Sequence, residues 1–446
     1  MVQTYSATDT GRFENLGNLA REFAAWIPAL LISYSAIIDP VINFGSSLGV
    51  EVSGFNIGAD RKNTAFARLF FPLVMGITLL CAIFAKPRFN TGYLLVGIIG
   101  LSYTALALIS TFWSVSPPHT QNSSIYAAIL YGTLFLSIAI APSAEKVVAP
   151  IAYLFAAVIA ANLVIVLVKS ASIIGHYGIF DHKNNLGGFG ACAFLFGLFA
   201  VKKDNLFGLA VSVFLVLGSL ILLYASGSKT AQALTILAPV FALVYFVSVH
   251  ALRVGFVLTT CLVAGIIWSG FLIGGQLFGF TFDDALFEFF GDTTFTGRTE
   301  IWSFVRAYIS DEPLVGYGYR GFWSLGTDSP KFLSNIDFIR TIGSSHNGFL
   351  DVLLDLGLLG LSIVVTLILA TLIAIANAGS RLHSLTLLYF SLVFFVLGRN
   401  LTESVIMWST FLDNLLFIAV GLLATHRVIH QSQKSTGTTS ELRIAA

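Results

Sequence analysis

Charge is scarce in this chain. Asp, Glu, Lys and Arg make up 11% of its 446 residues, against about 25% in an ordinary soluble domain. Lys and Arg number 24 and Asp and Glu 23, giving a formal net charge of +1. No global field recruits a nucleic acid or another polyanion. Cysteine is rare too, and Cys81, Cys192 and Cys261 all sit inside apolar runs. They offer no even disulfide framework and no metal spacing, and read as buried free thiols. A GxxxxGK[ST] phosphate loop, HExxH and CxxC are also missing, as is a paired acidic motif for a divalent metal and a nucleotide sugar. These absences argue against nucleotide hydrolysis and against nucleotide-sugar donors.

What the chain has instead is apolar length. Hydrophobic residues reach 56%, with 40 Phe among them. A helix needs about 20 apolar residues to cross a bilayer. Twelve stretches come close to that, at 24–44, 66–85, 91–113, 124–142, 147–169, 185–201, 206–225, 229–249, 252–274, 348–377, 382–402 and 407–428. The sixth is short and Gly-rich; the tenth is long enough to carry a helical turn outside the bilayer. The runs lack period-2 alternation and exceed barrel-strand length. The expected fold is therefore all-α, a polytopic transmembrane bundle of about 12 spans. Residues 1–22 are polar and carry both signs of charge before a full-length apolar run, which suits an uncleaved signal anchor better than a cleaved signal.

Orientation follows from basic residues. With both termini in the cytoplasm, 12 of the 24 lie inside. Five of the outside dozen belong to the long loop after the ninth stretch, and long loops translocate largely regardless of charge. Setting those five aside leaves 12 inside against 7 outside. The expected organisation is a cytoplasmic segment 1–23, spans one to nine over 24–274, a periplasmic loop 275–347, spans ten to twelve over 348–428, and a cytoplasmic tail 429–446.

The loop 275–347 holds 14 of the 47 charged residues, and a loop that long in a compact protein is usually functional. Thr299 to Arg306 has apolar residues at helical spacing. Asp311-Glu312-Pro313 should end that helix, and Gly316-Tyr317-Gly318-Tyr319 reads as a turn. The loop is expected to form a small, partly helical cap between spans nine and ten.

Three groups of residues offer chemistry. His346, in Ser344-Ser345-His346-Asn347-Gly348, lies at the start of span ten, where imidazole can take a proton near neutral pH. Asn347 can cap that helix. A second group puts positive charge on four outside turns: Arg298 at the loop helix, Lys229 between spans seven and eight, His182 and Lys183 between spans five and six, and Arg399 near the end of span eleven. A cation at the lipid boundary asks for a partner or an anionic ligand, and a lipid-linked phosphate or pyrophosphate suits the set. The third group is acidic. Asp351 and Asp355 share one face of span ten, and Asp351 is close enough to orient His346. Arg399 and Glu403, four apart, are expected to pair, and Asp413 should face the protein interior.

These segments resemble the O-antigen ligase and polysaccharide polymerase superfamily of bacterial inner membranes. The resemblance rests on Gly297-Arg298-Thr299-Glu300-Ile301-Trp302, on Glu312-Pro313-Leu314-Val315-Gly316-Tyr317-Gly318, and on His346-Asn347-Gly348-Phe349-Leu350 followed by Leu356-Gly357-Leu358-Leu359-Gly360. The segments 180–185 and 226–230 look most like the exopolysaccharide polymerase branch; Leu401-Thr402-Glu403-Ser404 adds a further match. Where many ligases carry Arg before the eighth span, this chain has Lys229, which keeps the charge and loses the bidentate fork.

The resemblance implies an inverting, metal-independent glycosyltransferase without a cofactor. Its donor would be an undecaprenyl-pyrophosphate-linked glycan and its acceptor another glycan, with a chain-length regulator as a further partner and no nucleic acid. It implies His346 as base and Arg298 with Lys229, His182, Lys183 and Arg399 around the pyrophosphate. Asn347, Asp351 and Glu403 would support them, and Trp302, Tyr317, Trp323 and Tyr319 are candidates to stack on sugars. Exopolysaccharide polymerase, O-antigen ligase, and a polytopic transporter or lipid flippase are the three readings carried forward.

Overall fold

The computed structural model describes residues 7–41, 65–173, 175–201, 203–255, 298–324, 329–378, 384–408 and 411–426, with a few isolated positions between 258 and 269. Among them the chain is helical and forms no named strand. It is a multi-pass helical membrane protein.

In chain order the helices are α1 (Ala7–Ala24), α2 (Ile27–Ser33, continuing as a π-helical turn), α3 (Ala65–Phe84), α4 (Thr91–Ile109), α5 (Pro117–Ile140), α6 (Ala144–Val168), α7 (Lys183–Phe199), α8 (Leu206–Ser226) and α9 (Lys229–His250). Then follow α10 (Arg298–Asp311) and α11 (Asp337–Thr341) in the cap, α12 (Gly348–Asn377), α13 (Ser384–Arg399) and α14 (Leu412–His426). Local chemistry sets several starts. Asn90, Ser143 and Asn205 each accept a backbone N–H from the first turn of α4, α6 and α8. Gly227, in the left-handed region, ends α8.

Eight helical segments among the described residues are long and apolar enough to cross a membrane. Helices α7, α13 and α14 coincide with the sixth, eleventh and twelfth stretches and, at 17 residues or fewer, are shorter than those eight. Burial explains how α7 and α14 manage this. Eleven of the 17 residues of α7 are buried, and every residue of α14 is buried. Enclosed by other helices, they need not match the full hydrocarbon thickness. Most of the ninth stretch, residues 270–297, Cys261 and the tail after 426 lie outside the described residues. Cys81 and Cys192 are buried free thiols, as expected.

Tight packing around α7 depends on its glycines. A methyl group on Gly188 would meet the Arg399 guanidinium at 2.1 Å, and one on Gly187 would meet Ser228 at 2.8 Å. The start of α7 therefore touches both the end of α13 and the turn before α9.

Span ten is broken. Gly357 has φ 60 and ψ −157 inside α12. The segment 313–318 fills the break with its own backbone. The N–H groups of Tyr317 and Gly318 donate to the Leu354 and Asp355 carbonyls at 2.7 and 2.9 Å. The N–H groups of Leu358 and Leu359 donate to the Pro313 and Leu314 carbonyls at 2.8 and 3.2 Å. Four α12 groups at the break find partners in this way, as a non-helical backbone at membrane depth requires. The cap is thus stitched into the bundle rather than laid over it. It carries a small apolar core of its own from Ile301, Val305, Phe322, Trp323, Ile339 and Leu354. Its helix α10 stops at Asp311, before Pro313, where the sequence predicts it.

Candidate functional site

Four elements meet at one carboxylate. Glu403, in the turn after α13, accepts from Arg298 Nη2 of α10 at 2.7 Å and from Asn184 Nδ2 of α7 at 2.6 Å, both on Oε1. Its other oxygen, Oε2, faces His346 Nδ1 at 3.3 Å, at the start of α12. The side chains of Arg298 and Glu403 are 15% and 16% exposed, and that of His346 is 33% exposed. The pair is thus mostly shielded, while the imidazole stays reachable.

Protonation follows from these partners. Burial opposes the charged form of Glu403. The hydrogen bond and charge of His346, then the charges of Arg298 and Arg399, outweigh it and hold the carboxyl down to about 2. An ionised carboxylate only accepts, so His346 Nδ1 is the donor in this contact, and in the neutral ring the lone pair lies on Nε2. A base oriented by a carboxylate beside a guanidinium is an arrangement suited to moving a proton next to a bound anion.

The backbone of His346 is itself constrained. Its φ is +53, in the left-handed region, a conformation costing on the order of 1–3 kcal/mol. Neighbours hold it there. Ser345 donates its N–H to Asp351 Oδ1 at 3.0 Å and its hydroxyl to the Asn347 carbonyl at 2.7 Å, and its carbonyl accepts from Trp302 Nε1 at 3.0 Å. Asn347 caps α12 by accepting from Phe349 and Leu350 N–H, as its position predicts. Asp351, expected to orient His346, instead accepts from Ser345 N–H and Trp323 Nε1. It holds the loop, and Glu403 holds the ring.

The expected pairing of Arg399 with Glu403 is also corrected. Arg399 Nη1 binds Asp413 Oδ2 at 2.5 Å, and Nη2 donates to the Asn184 carbonyl and Asn185 Oδ1. Arg399 is 4% exposed. With its terminal nitrogens already engaged, it does not fit the pyrophosphate role the resemblance gave it. Asp413 is buried, as expected.

His182 departs from its expected role as a cation. It caps α7 by accepting the Asn184 N–H on Nδ1 at 3.2 Å. Burial lowers its basicity; Glu403 and Asp181 work the other way, and His346 and Lys183 add to the lowering. It therefore presents a neutral Nε2–H. Lys183 opens α7 beside it, and Lys229 is exposed at the first position of α9, on the turn that packs against Gly187.

The aromatic residues serve packing. Trp323 is 7% exposed and Tyr319 fully buried, and Tyr319 donates its hydroxyl to the Met407 carbonyl. Neither offers a face to a sugar. Tyr317 donates to the Tyr308 carbonyl and packs on Tyr308 and Phe322; Trp302 is the half-buried brace of Ser345. Lys331 is a further support missed by sequence reasoning. It is 2% exposed, and its ammonium donates to the Trp323 and Ile342 carbonyls at 3.4 and 3.2 Å. Replacing it with Met leaves two carbonyls unbonded, at about 1–3 kcal/mol each. Lys331→Met should lower the melting temperature of the solubilised protein, and an unchanged melting curve would contradict this bracing.

Asn184 is the other missed residue. Its signal in the sequence is a polar run, Asp181 to Asn185, ahead of an apolar helix. Nothing in that run reveals a partner 219 positions away.

Comparison with known proteins gives two matches. Residues 213–365 match the family model described as Wzy_C, O-Antigen ligase. That segment includes Lys229, Arg298, His346 and the stitched break. The chain is also 25% identical over 286 residues to the exopolysaccharide production protein ExoQ of Rhizobium meliloti (strain 1021). The alignment covers 60% of this chain and 63% of that protein, so the chain spans under two thirds of the length of the relative. Together the two matches support the O-antigen ligase and polymerase superfamily, on its exopolysaccharide side.

Proposed function

We propose that this protein is a glycosyltransferase that polymerises undecaprenyl-pyrophosphate-linked repeat units into exopolysaccharide. It works at the periplasmic face of the bacterial inner membrane, with both termini in the cytoplasm. The observation that carries the reading is Glu403 gripping Arg298 with one oxygen and His346 with the other. One carboxylate thereby sets a phosphate-binding cation beside a proton acceptor.

In the proposed step, an acceptor sugar hydroxyl attacks the anomeric carbon of the donor glycan and passes its proton to His346 Nε2. The new glycosidic C–O bond forms as the C–O bond to the pyrophosphate breaks on the opposite face. The bonding pair leaves with undecaprenyl pyrophosphate, and Arg298, aided by Lys183, Lys229 and the His182 N–H, stabilises the departing charge. Attack from the opposite face inverts the anomeric centre. A chain-length regulator is the expected protein partner.

Arg298→Lys keeps the charge but loses the planar fork that reaches Glu403 and a phosphate together. Turnover should fall roughly 10–100-fold, about 1.4 kcal/mol per tenfold, with insertion unaffected. Equal turnover would contradict bidentate pyrophosphate binding.

The second reading, supported by the description of the matching family, is an O-antigen ligase moving finished glycan to lipid A-core or another acceptor. Deleting the gene in its host and sizing lipid-linked and surface glycans separates the two. Loss of long chains with single repeat units surviving supports the polymerase. Long lipid-linked chains that never reach an acceptor support the ligase. Normal glycans in both pools argue against each, and substrate transport by purified protein without transfer would favour a transporter.

A further inference from the structure

The first turn of α7 has two working sides. Asn184 turns toward Glu403 and His346. Asn185 turns away, donating to Asp181 Oδ1 and accepting from Arg399 Nη2. On this second side lies a cavity of about 100 Å³. It is walled by the end of the first span (Ser35, Asp39), the start of α7, Arg399 and the start of α14 (Asp413).

Two properties of the lining select a ligand. The first is charge. Asp39, Asp181 and Asp413 against Arg399 give three negative charges and one positive. The cation Arg298 stands on the other side of the turn, on Glu403, so an anionic phosphate is favoured there and disfavoured in the cavity. The second is the excess of acceptors over free donors. Arg399 spends both terminal nitrogens on protein partners. Asp413 is 1% exposed, yet its Oδ1 has no hydrogen-bond partner among the described residues. A buried carboxylate oxygen left unpaired is expensive and points to a donor supplied from outside the chain. Hydroxyl groups are such donors. The rings of Phe180, Phe189 and Phe411 complete the wall and suit the C–H face of a pyranose. A water needs about 10–15 Å³ of such space, so the cavity has room for one sugar-sized polar group.

Building on the glycosyl-transfer reading, we infer that this cavity is a saccharide subsite for the acceptor glycan. It takes a neutral sugar unit of the chain whose hydroxyl is presented to His346. The turn of α7 then separates the phosphate side from the glycan side, with Asn184 facing one and Asn185 the other.

The test fills the cavity from the wall formed by the end of the first span. Purified protein in detergent is titrated calorimetrically with the free oligosaccharide obtained by cleaving the host's surface glycan at every repeat. Wild type and His346→Gln should both bind it saturably. Ser35→Trp should weaken binding at least tenfold while keeping the melting temperature of wild type. A second saturating side chain, Asp39→Phe, guards against a local fault of the first. Saturable binding unchanged in both variants overturns the subsite, as does the absence of saturable binding to wild type. Heat that appears only with added calcium or magnesium identifies a cation site and overturns it equally. Binding needs no turnover, so a result here stands apart from any failure of His346 as base.

Discussion

His346→Gln will abolish glycan transfer while the protein remains inserted and monodisperse. The amide matches the imidazole in size, but it cannot take a proton at neutral pH. General-base catalysis is worth about 10²–10⁴ in rate, so turnover of lipid-linked donor by purified protein should fall by at least about 10². Glu403→Gln should fall by a similar factor for a different reason. The neutral amide no longer obliges Nδ1 to carry the proton, and it leaves Arg298 without its charge partner. Glu403→Asp, which keeps the charge on a shorter arm, should recover part of the rate. The carboxylate has its own pH dependence. The Glu403 carboxyl is depressed from its ordinary value to about 2. The stabilisation it contributes is fully present above the ordinary carboxyl range and is lost progressively as pH falls from that range through about 2. Near neutral pH the Glu403 carboxylate is therefore ionised and keeps its grip on Arg298. Turnover in His346→Gln within a few-fold of wild type would remove the histidine from the chemistry.

Much of this architecture is legible in the sequence because hydropathy reports it directly. The stretch 348–377 is reproduced by α12 to the residue, and Asn347 caps it as its position suggests. Short spans are harder to read. Helix α14 looks like any apolar run, and only its burial on all sides explains why it needs so few residues. At the site, residue types are readable and pairings are not. Arg399 and Glu403 are four apart, and helical spacing predicts that they pair. Helix α13 ends at Arg399, so that spacing no longer applies. Arg399 turns inward to Asp413 and Glu403 is left to bind Arg298, 105 positions away. The aromatic residues of the cap mislead for a related reason. Trp and Tyr suit both sugar faces and small apolar cores, and here Trp323 and Tyr317 pack with Ile301, Phe322 and Ile339 in the core of the cap.

Gly357→Ala should be the most damaging single change outside the reacting groups. The break in α12 looks like a defect, since one glycine in an apolar run is tolerated in many helices. Its geometry leaves no room for tolerance. With φ 60 and ψ −157, Gly357 occupies a region that L side chains essentially do not enter. A Cβ there would lie 2.2 Å from the Leu314 carbonyl carbon and 2.5 Å from Val315 N. Both are backbone atoms and cannot rotate away. The chain must then either straighten α12 or expel 313–318, and each choice removes the four hydrogen bonds that cross the break. Unsatisfied backbone groups at membrane depth cost several kcal/mol each, while a whole protein is stable by only about 5–15 kcal/mol. The consequences reach the site, because the half of α12 before the break carries Asp351, which holds Ser345 and through it His346. Gly357→Ala should therefore lose both the monodisperse peak on solubilisation and glycan transfer. Gly343→Ala, in the same cap, meets nothing within 4 Å of its new methyl and should leave both intact. If Gly357→Ala behaves like Gly343→Ala, the stitched break is not what joins the cap to the bundle, and the position of His346 must be set by α10 and the turn after α13 alone.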